Sequence, residues 1–92
     1  MAIPRLKLLQ LEHNRLLGHM AELKSMIRSL ETEAEGLEAM EDAYSNEEYR
    51  VKREEKLFGI GVCRDDLIWA QKRLDEIDEM IRVESGGSSA AV

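Results

Sequence analysis

Apolar residues recur at alternating steps of three and four along most of the chain. This spacing keeps them on one face of an α-helix, as in coiled coils. The pattern predicts one helix over about residues 4–43 and a second over about 46–84. The first series is Leu6, Leu9, Leu16, Met20, Leu23, Ile27, Leu30, Ala34 and Leu37, and the second is Tyr49, Ile60, Cys63, Leu67, Ala70, Leu74, Ile77 and Ile81.

The two series match in phase if the chain folds back at Ser45. Leu23 then lies opposite Leu67, and Ile27 lies opposite Cys63. A connection this short requires antiparallel neighbours. The sequence therefore predicts an all-α fold, a long antiparallel helical hairpin over residues 1–84 with its bend at about 43–45, which assembles into a helical bundle. Residues 85–92, rich in Gly and Ser, are predicted to form a flexible tail.

Two short stretches set the expected details of the second helix. The run Ser45-Asn46-Glu47-Glu48 matches a capping box, in which the Ser45 hydroxyl accepts from the backbone N–H of Glu48. The run Gly59-Ile60-Gly61 is the weak point, because glycine disfavours helix. We expect a continuous helix with a soft or kinked site there, with a break into two shorter helices as the alternative.

Two cationic residues, Arg53 and Lys56, interrupt the apolar series of the second helix. Their aliphatic stems are long enough to cover the seam between the helices while the charged heads stay in water. We expect those heads to reach carboxylates of the first helix, namely Glu33, Glu35 and Glu38.

The second helix also has more apolar residues than its seam needs. Five of them lie about 140–180° from Leu67 on a helical wheel. Scattered surface apolar residues are common, but this set includes the single Trp and the single Phe of the chain. We expect the face to meet a client protein or, more simply, a second copy of the chain in a homodimer. The five residues are Val51, Phe58, Val62, Trp69 and Met80.

Composition narrows the classes of function. The net charge of −6 argues against direct nucleic-acid binding, which is driven by Lys and Arg at phosphates. A single Cys forms no internal disulfide, and the sequence lacks a signal-peptide pattern and a membrane-spanning apolar stretch. These features predict a cytoplasmic protein without a membrane partner.

The residues that usually carry chemistry are scattered. His13 and His19 are about 120° apart on a helix, so they do not converge on one metal ion. Cys63 lies on the apolar seam, where a small buried hydrophobe is the simpler interpretation. The run Gly59-Ile60-Gly61 lacks the Lys-Ser/Thr of a phosphate-binding loop. We therefore expect no enzyme activity, no metal and no cofactor.

The opening of the second helix resembles a known family. The run Tyr49-Arg50-Val51-Lys52-Arg53-Glu54-Glu55 is similar to the signature that opens helix two in the tubulin-binding cofactor A family, and the positions from Cys63 to Ile77 follow that family's spacing. The resemblance implies a cytoplasmic chaperone that captures β-tubulin folding intermediates. We expect partner contacts at Tyr49, Val51, Lys52, Arg53, Glu54, Phe58, Val62 and Trp69.

A second resemblance involves the bend. The residues Asp42, Asn46, Glu48-Tyr49 and Arg53-Glu54 are similar to the tip of the coiled-coil domain of bacterial Gre transcript-cleavage factors. That family uses two tip acids, and Ser45 stands at the second position. The alternative functions are thus a Gre-like hairpin that modulates RNA polymerase and a dimeric structural coiled-coil adaptor.

Overall fold

The computed structural model describes residues 3–87 and contains two long α-helices. Helix α1 spans Arg5–Tyr44, helix α2 spans Glu47–Arg82, and a π-helical turn follows at Val83–Gly87. The predicted all-α helical hairpin is confirmed. The π-helical turn includes residues 85–87 of the predicted tail, and residues 88–92 lie outside the described part of the chain.

The two helices are joined by Ser45 and Asn46 alone. Ser45 has a φ of 49°, in the left-handed region, and its backbone N–H donates to the carbonyl of Glu41 at 2.7 Å. This is the arrangement that ends many helices, because it satisfies a carbonyl that the last turn leaves free. The chain therefore leaves α1 abruptly after Tyr44.

The predicted capping box at Ser45 is wrong. The N-cap of α2 is Asn46, whose side-chain Oδ1 accepts from the backbone N–H of Glu48 at 2.9 Å. Ser45 is already held in the left-handed conformation that closes α1, so the cap moves one residue along the chain. The carboxylates of Glu47 and Glu48 lie in the first turn of α2, where the helix dipole favours negative charge.

The chain divides into two units, and the first contains the described residues 3–21 and 68–87. The two segments run antiparallel, since Arg5 pairs with Glu84 and Glu12 pairs with Arg73. The buried side chains are those of the predicted seam, and Ile77 is fully buried. They are Leu9, Leu16, Met20, Ala70, Leu74 and Ile77.

The second unit contains residues 22–67 with the bend. Its core joins Leu23 and Ile27 of α1 to Ile60 and Cys63 of α2, and the half-buried Leu30 and Leu67 pack against it. The predicted fold-back register is thereby confirmed for this unit.

Helix α2 continues without interruption through Gly59-Ile60-Gly61, so the alternative of two shorter helices is wrong. A Cβ at Gly59 would lie 3.3 Å from Cδ1 of Leu30, whereas a Cβ at Gly61 would meet nothing within 4 Å. Gly59 therefore permits α1 and α2 to approach each other closely. The packing against Leu30 accounts for Gly59 in the middle of the helix, where glycine is otherwise unfavourable.

Candidate protein-binding surfaces

The outer apolar face of α2 is the first candidate surface. In the second unit it consists of Val51, Phe58 and Val62, and Phe58 is 76% exposed. In the first unit Trp69 is 63% exposed. In each unit these residues are exposed, away from the buried seam residues.

Met80 does not belong to this face, because it is half-buried. A helical wheel places successive residues 100° apart, as in a straight helix. A seam with a strict seven-residue repeat drifts by about 20° per heptad relative to such a helix. Over the thirteen residues that separate Met80 from Leu67, this drift brings Met80 toward the seam.

The other predicted contact residues lie near the bend, and three of them, Tyr49, Lys52 and Arg53, have partners within the chain. Tyr49 is half-buried, and its ring centroid lies 6.4 Å from that of Tyr44. The ammonium of Lys52 pairs with Glu48 at 3.1 Å, one helical turn away. Glu54 is exposed. Glu54 lies three residues after Val51 and four before Phe58, beside the outer apolar face, whereas Tyr49 and Lys52 contact other residues near the bend.

Arg53 lies in the seam of the second unit, half-buried. Its guanidinium is 3.8 Å from a carboxylate oxygen of Glu38 and 3.3 Å from one of Glu41, and its buried Nε has no hydrogen-bond partner in the described chain. Lys56 pairs with Glu33 at 2.9 Å. The expected contacts with Glu33 and Glu38 are confirmed, whereas Glu35, which was also expected, forms no ion pair with a described residue. Arg53 also reaches Glu41, so it holds the two helices together near the bend.

A groove near the bend was not found from the sequence. It has a volume of about 700 Å³ and lies between α1 and α2 in the second unit. On the side of α1 it is lined by Gly36, which has no side chain, and by Leu37 and Met40. The sequence pattern that could have indicated it is a glycine and a methionine four residues apart on one side of α1. The pattern does not give the depth of a groove, which depends on how the two helices pack. The lining residues are Glu33, Gly36, Leu37, Met40, Lys52, Glu55 and Lys56.

The bend itself carries several carboxylates around a shallow depression of about 430 Å³. Glu41 pairs with Arg53, and Glu47 pairs with Arg50, so these two acids are neutralised locally. Asp42 is exposed. Within residues 3–87, the structure holds no group of three or more metal-ligating side chains close enough to bind a metal ion.

The first unit contains ion pairs both between its two segments and within α2. Arg73 donates hydrogen bonds to the carboxylates of Glu12 and Glu76, and these bonds raise the pKa of the guanidinium. In the last turn of α2, the hydrogen bond from Arg82 lowers the pKa of Glu79. His13 contacts Asp78 through Nε2 at 2.8 Å. Because these groups are exposed or half-buried, each pair contributes little on its own.

Comparison with known proteins gives no relative for this chain. No protein-family model, no curated protein and no solved structure matches it. The two resemblances therefore depend on the sequence of this chain alone. Neither described helix contains an apolar segment of the length needed to cross a membrane.

Proposed function

We propose that this chain is a non-enzymatic helical protein that binds another protein through the outer apolar face of α2. The observation that supports the proposal is the exposure of two large aromatic side chains, Phe58 at 76% and Trp69 at 63%. Covering such a ring releases about 2 kcal/mol of hydrophobic free energy, and aromatic residues are enriched among those that dominate binding.

The partner that we propose is a β-tubulin folding intermediate, captured by a cytoplasmic chaperone. The support is the resemblance of the run Tyr49–Glu55 to the opening of helix two in tubulin-binding cofactor A. Val51 belongs both to that run and to the exposed apolar face, so the resemblance and the accessible surface coincide at this residue. A folding intermediate exposes apolar surface of its own, which suits an apolar face better than a charged one.

Capture of β-tubulin from a eukaryotic extract tests this function. We expect the folded chain to retain β-tubulin, and Phe58→Glu and Trp69→Glu each to reduce the retained amount about tenfold, because each buries a charge in place of a ring. Leu8→Glu is the matched control, since Leu8 is an exposed apolar residue of α1. A correctly folded wild-type chain that retains no β-tubulin would exclude this client.

A homodimer is the second candidate, and the same exposed rings favour it. A second copy of the chain would cover Phe58 and Trp69 without any other protein. In that case the wild type sediments as a dimer, Trp69→Glu sediments as a monomer, and Leu8→Glu leaves the mass unchanged. A wild-type chain that sediments as a monomer at all concentrations would exclude the dimer while leaving client binding possible.

A further inference from the structure

The groove near the bend lies in a part of the second unit that has little core of its own. From residue 35 to residue 59, no side chain is buried, and Leu37, which lines the groove, is only half-buried. The helices are held together there by exposed or half-buried ion pairs, each worth less than about 1 kcal/mol. An additional helix in the groove would supply the apolar contacts that this region lacks.

The charge of this region indicates what kind of helix would fit. Residues 35–59 contain eight acidic and four basic side chains, a net charge of −4 out of −6 for the whole chain. All four basic side chains already form ion pairs within the second unit. Four of the carboxylates form no ion pair with another described residue, and one of these, Glu55, lines the groove. The four are Glu35, Asp42, Glu54 and Glu55.

We infer that the groove binds a basic amphipathic helix of a partner protein. Apolar side chains of that helix pack on Leu37 and Met40, and a Lys or Arg one turn away pairs with Glu55. The absence of a side chain at Gly36 leaves room for close approach, since a Cβ there would meet nothing within 4 Å. The same region of a second copy fits poorly, because it would place another net charge of −4 against the first.

This site is distinct from the outer apolar face of α2, because none of Val51, Phe58, Val62 and Trp69 lines the groove. Phe58 does not line the groove, and Glu55, which does, is not one of the residues of the outer apolar face. A partner that binds through the groove is therefore expected to tolerate Phe58→Glu and to respond to Glu55→Lys.

The test uses two synthetic peptides of 18 residues and the full chain. Both carry Leu at helical spacings of three and four, and the remaining positions are Lys-rich in one and Glu-rich in the other. We expect fluorescence anisotropy to show saturable binding of the Lys-rich peptide, weakened by added salt, and no binding of the Glu-rich peptide. The amide signal of Gly36 should shift in NMR spectra during the titration.

Three variants locate the site. Glu55→Lys should weaken binding about fivefold or more, because it replaces an attraction by a repulsion. Glu22→Lys makes the same change of charge at an exposed position outside the groove, and it should weaken binding less than about twofold. Gly36→Trp fills the groove from an exposed helical position and should reduce binding more than about tenfold while circular dichroism remains helical.

Several results would overturn the inference. Equal affinity for the two peptides would show that charge plays no part, and equal effects of Glu55→Lys and Glu22→Lys would place the contact elsewhere. If Gly36→Trp instead lowers the mass of the chain in solution, the groove is an interface between copies and not a site for a basic helix.

Discussion

Two neighbouring residues, Ser45 and Asn46, make the reversal of the chain possible. Ser45 adopts a left-handed conformation and closes α1, while the side chain of Asn46 opens α2. The position of the bend follows from the phase of the two apolar series and was predictable. The capping residue was not, because Ser and Asn are equally good N-caps and the choice depends on the backbone conformation of Ser45.

Substitutions at these two residues separate their roles. Asn46→Ala should lower the free energy of unfolding by about 1 kcal/mol, because the N–H of Glu48 loses its acceptor. Ser45→Gly should raise it by up to about 1 kcal/mol, since glycine adopts a positive φ without steric cost. Urea unfolding followed by circular dichroism measures both. A loss from Ser45→Ala as large as that from Asn46→Ala would contradict the assignment of the cap.

At the scale of the helix, the apolar seam of each unit was predictable, whereas features that depend on side-by-side packing were not. Every residue of the two predicted series is buried or half-buried. The inward position of Met80 depends on the drift of the seam around the helix. The groove beside Gly36 depends on the gap between two packed helices. A pattern along one helix gives the direction of a side chain but not its distance from the other helix.

Alanine substitutions at the two glycines of α2, Gly59 and Gly61, should differ in their effect on stability. Gly61→Ala should stabilise the helix by about 1 kcal/mol, because Ala is the better helix former and the new Cβ meets nothing. Gly59→Ala should stabilise less, or destabilise, because its Cβ would lie 3.3 Å from Cδ1 of Leu30. Thermal unfolding of the two variants measures the difference. Equal stabilisation by both would show that Gly59 has no packing role.

At the scale of the whole molecule, the proposed functions depend on one arrangement. The chain folds back at Ser45-Asn46, buries its seam residues within each unit, and leaves Phe58 and Trp69 exposed to solvent. The fold and this exposure followed from the spacing of apolar residues. The identity of a partner did not, because spacing specifies a surface and its charge but no particular protein.

The most direct test of this arrangement is an NMR measurement of contacts between the methyl groups of Ile27 and Ile60, which lie in one core cluster. Isotope-filtered spectra of a mixture of labelled and unlabelled chains distinguish contacts within a chain from contacts between chains. We expect a strong nuclear Overhauser effect between methyl groups of these two residues within one chain. Its absence, or its appearance only between chains, would contradict the fold-back and with it both proposed surfaces.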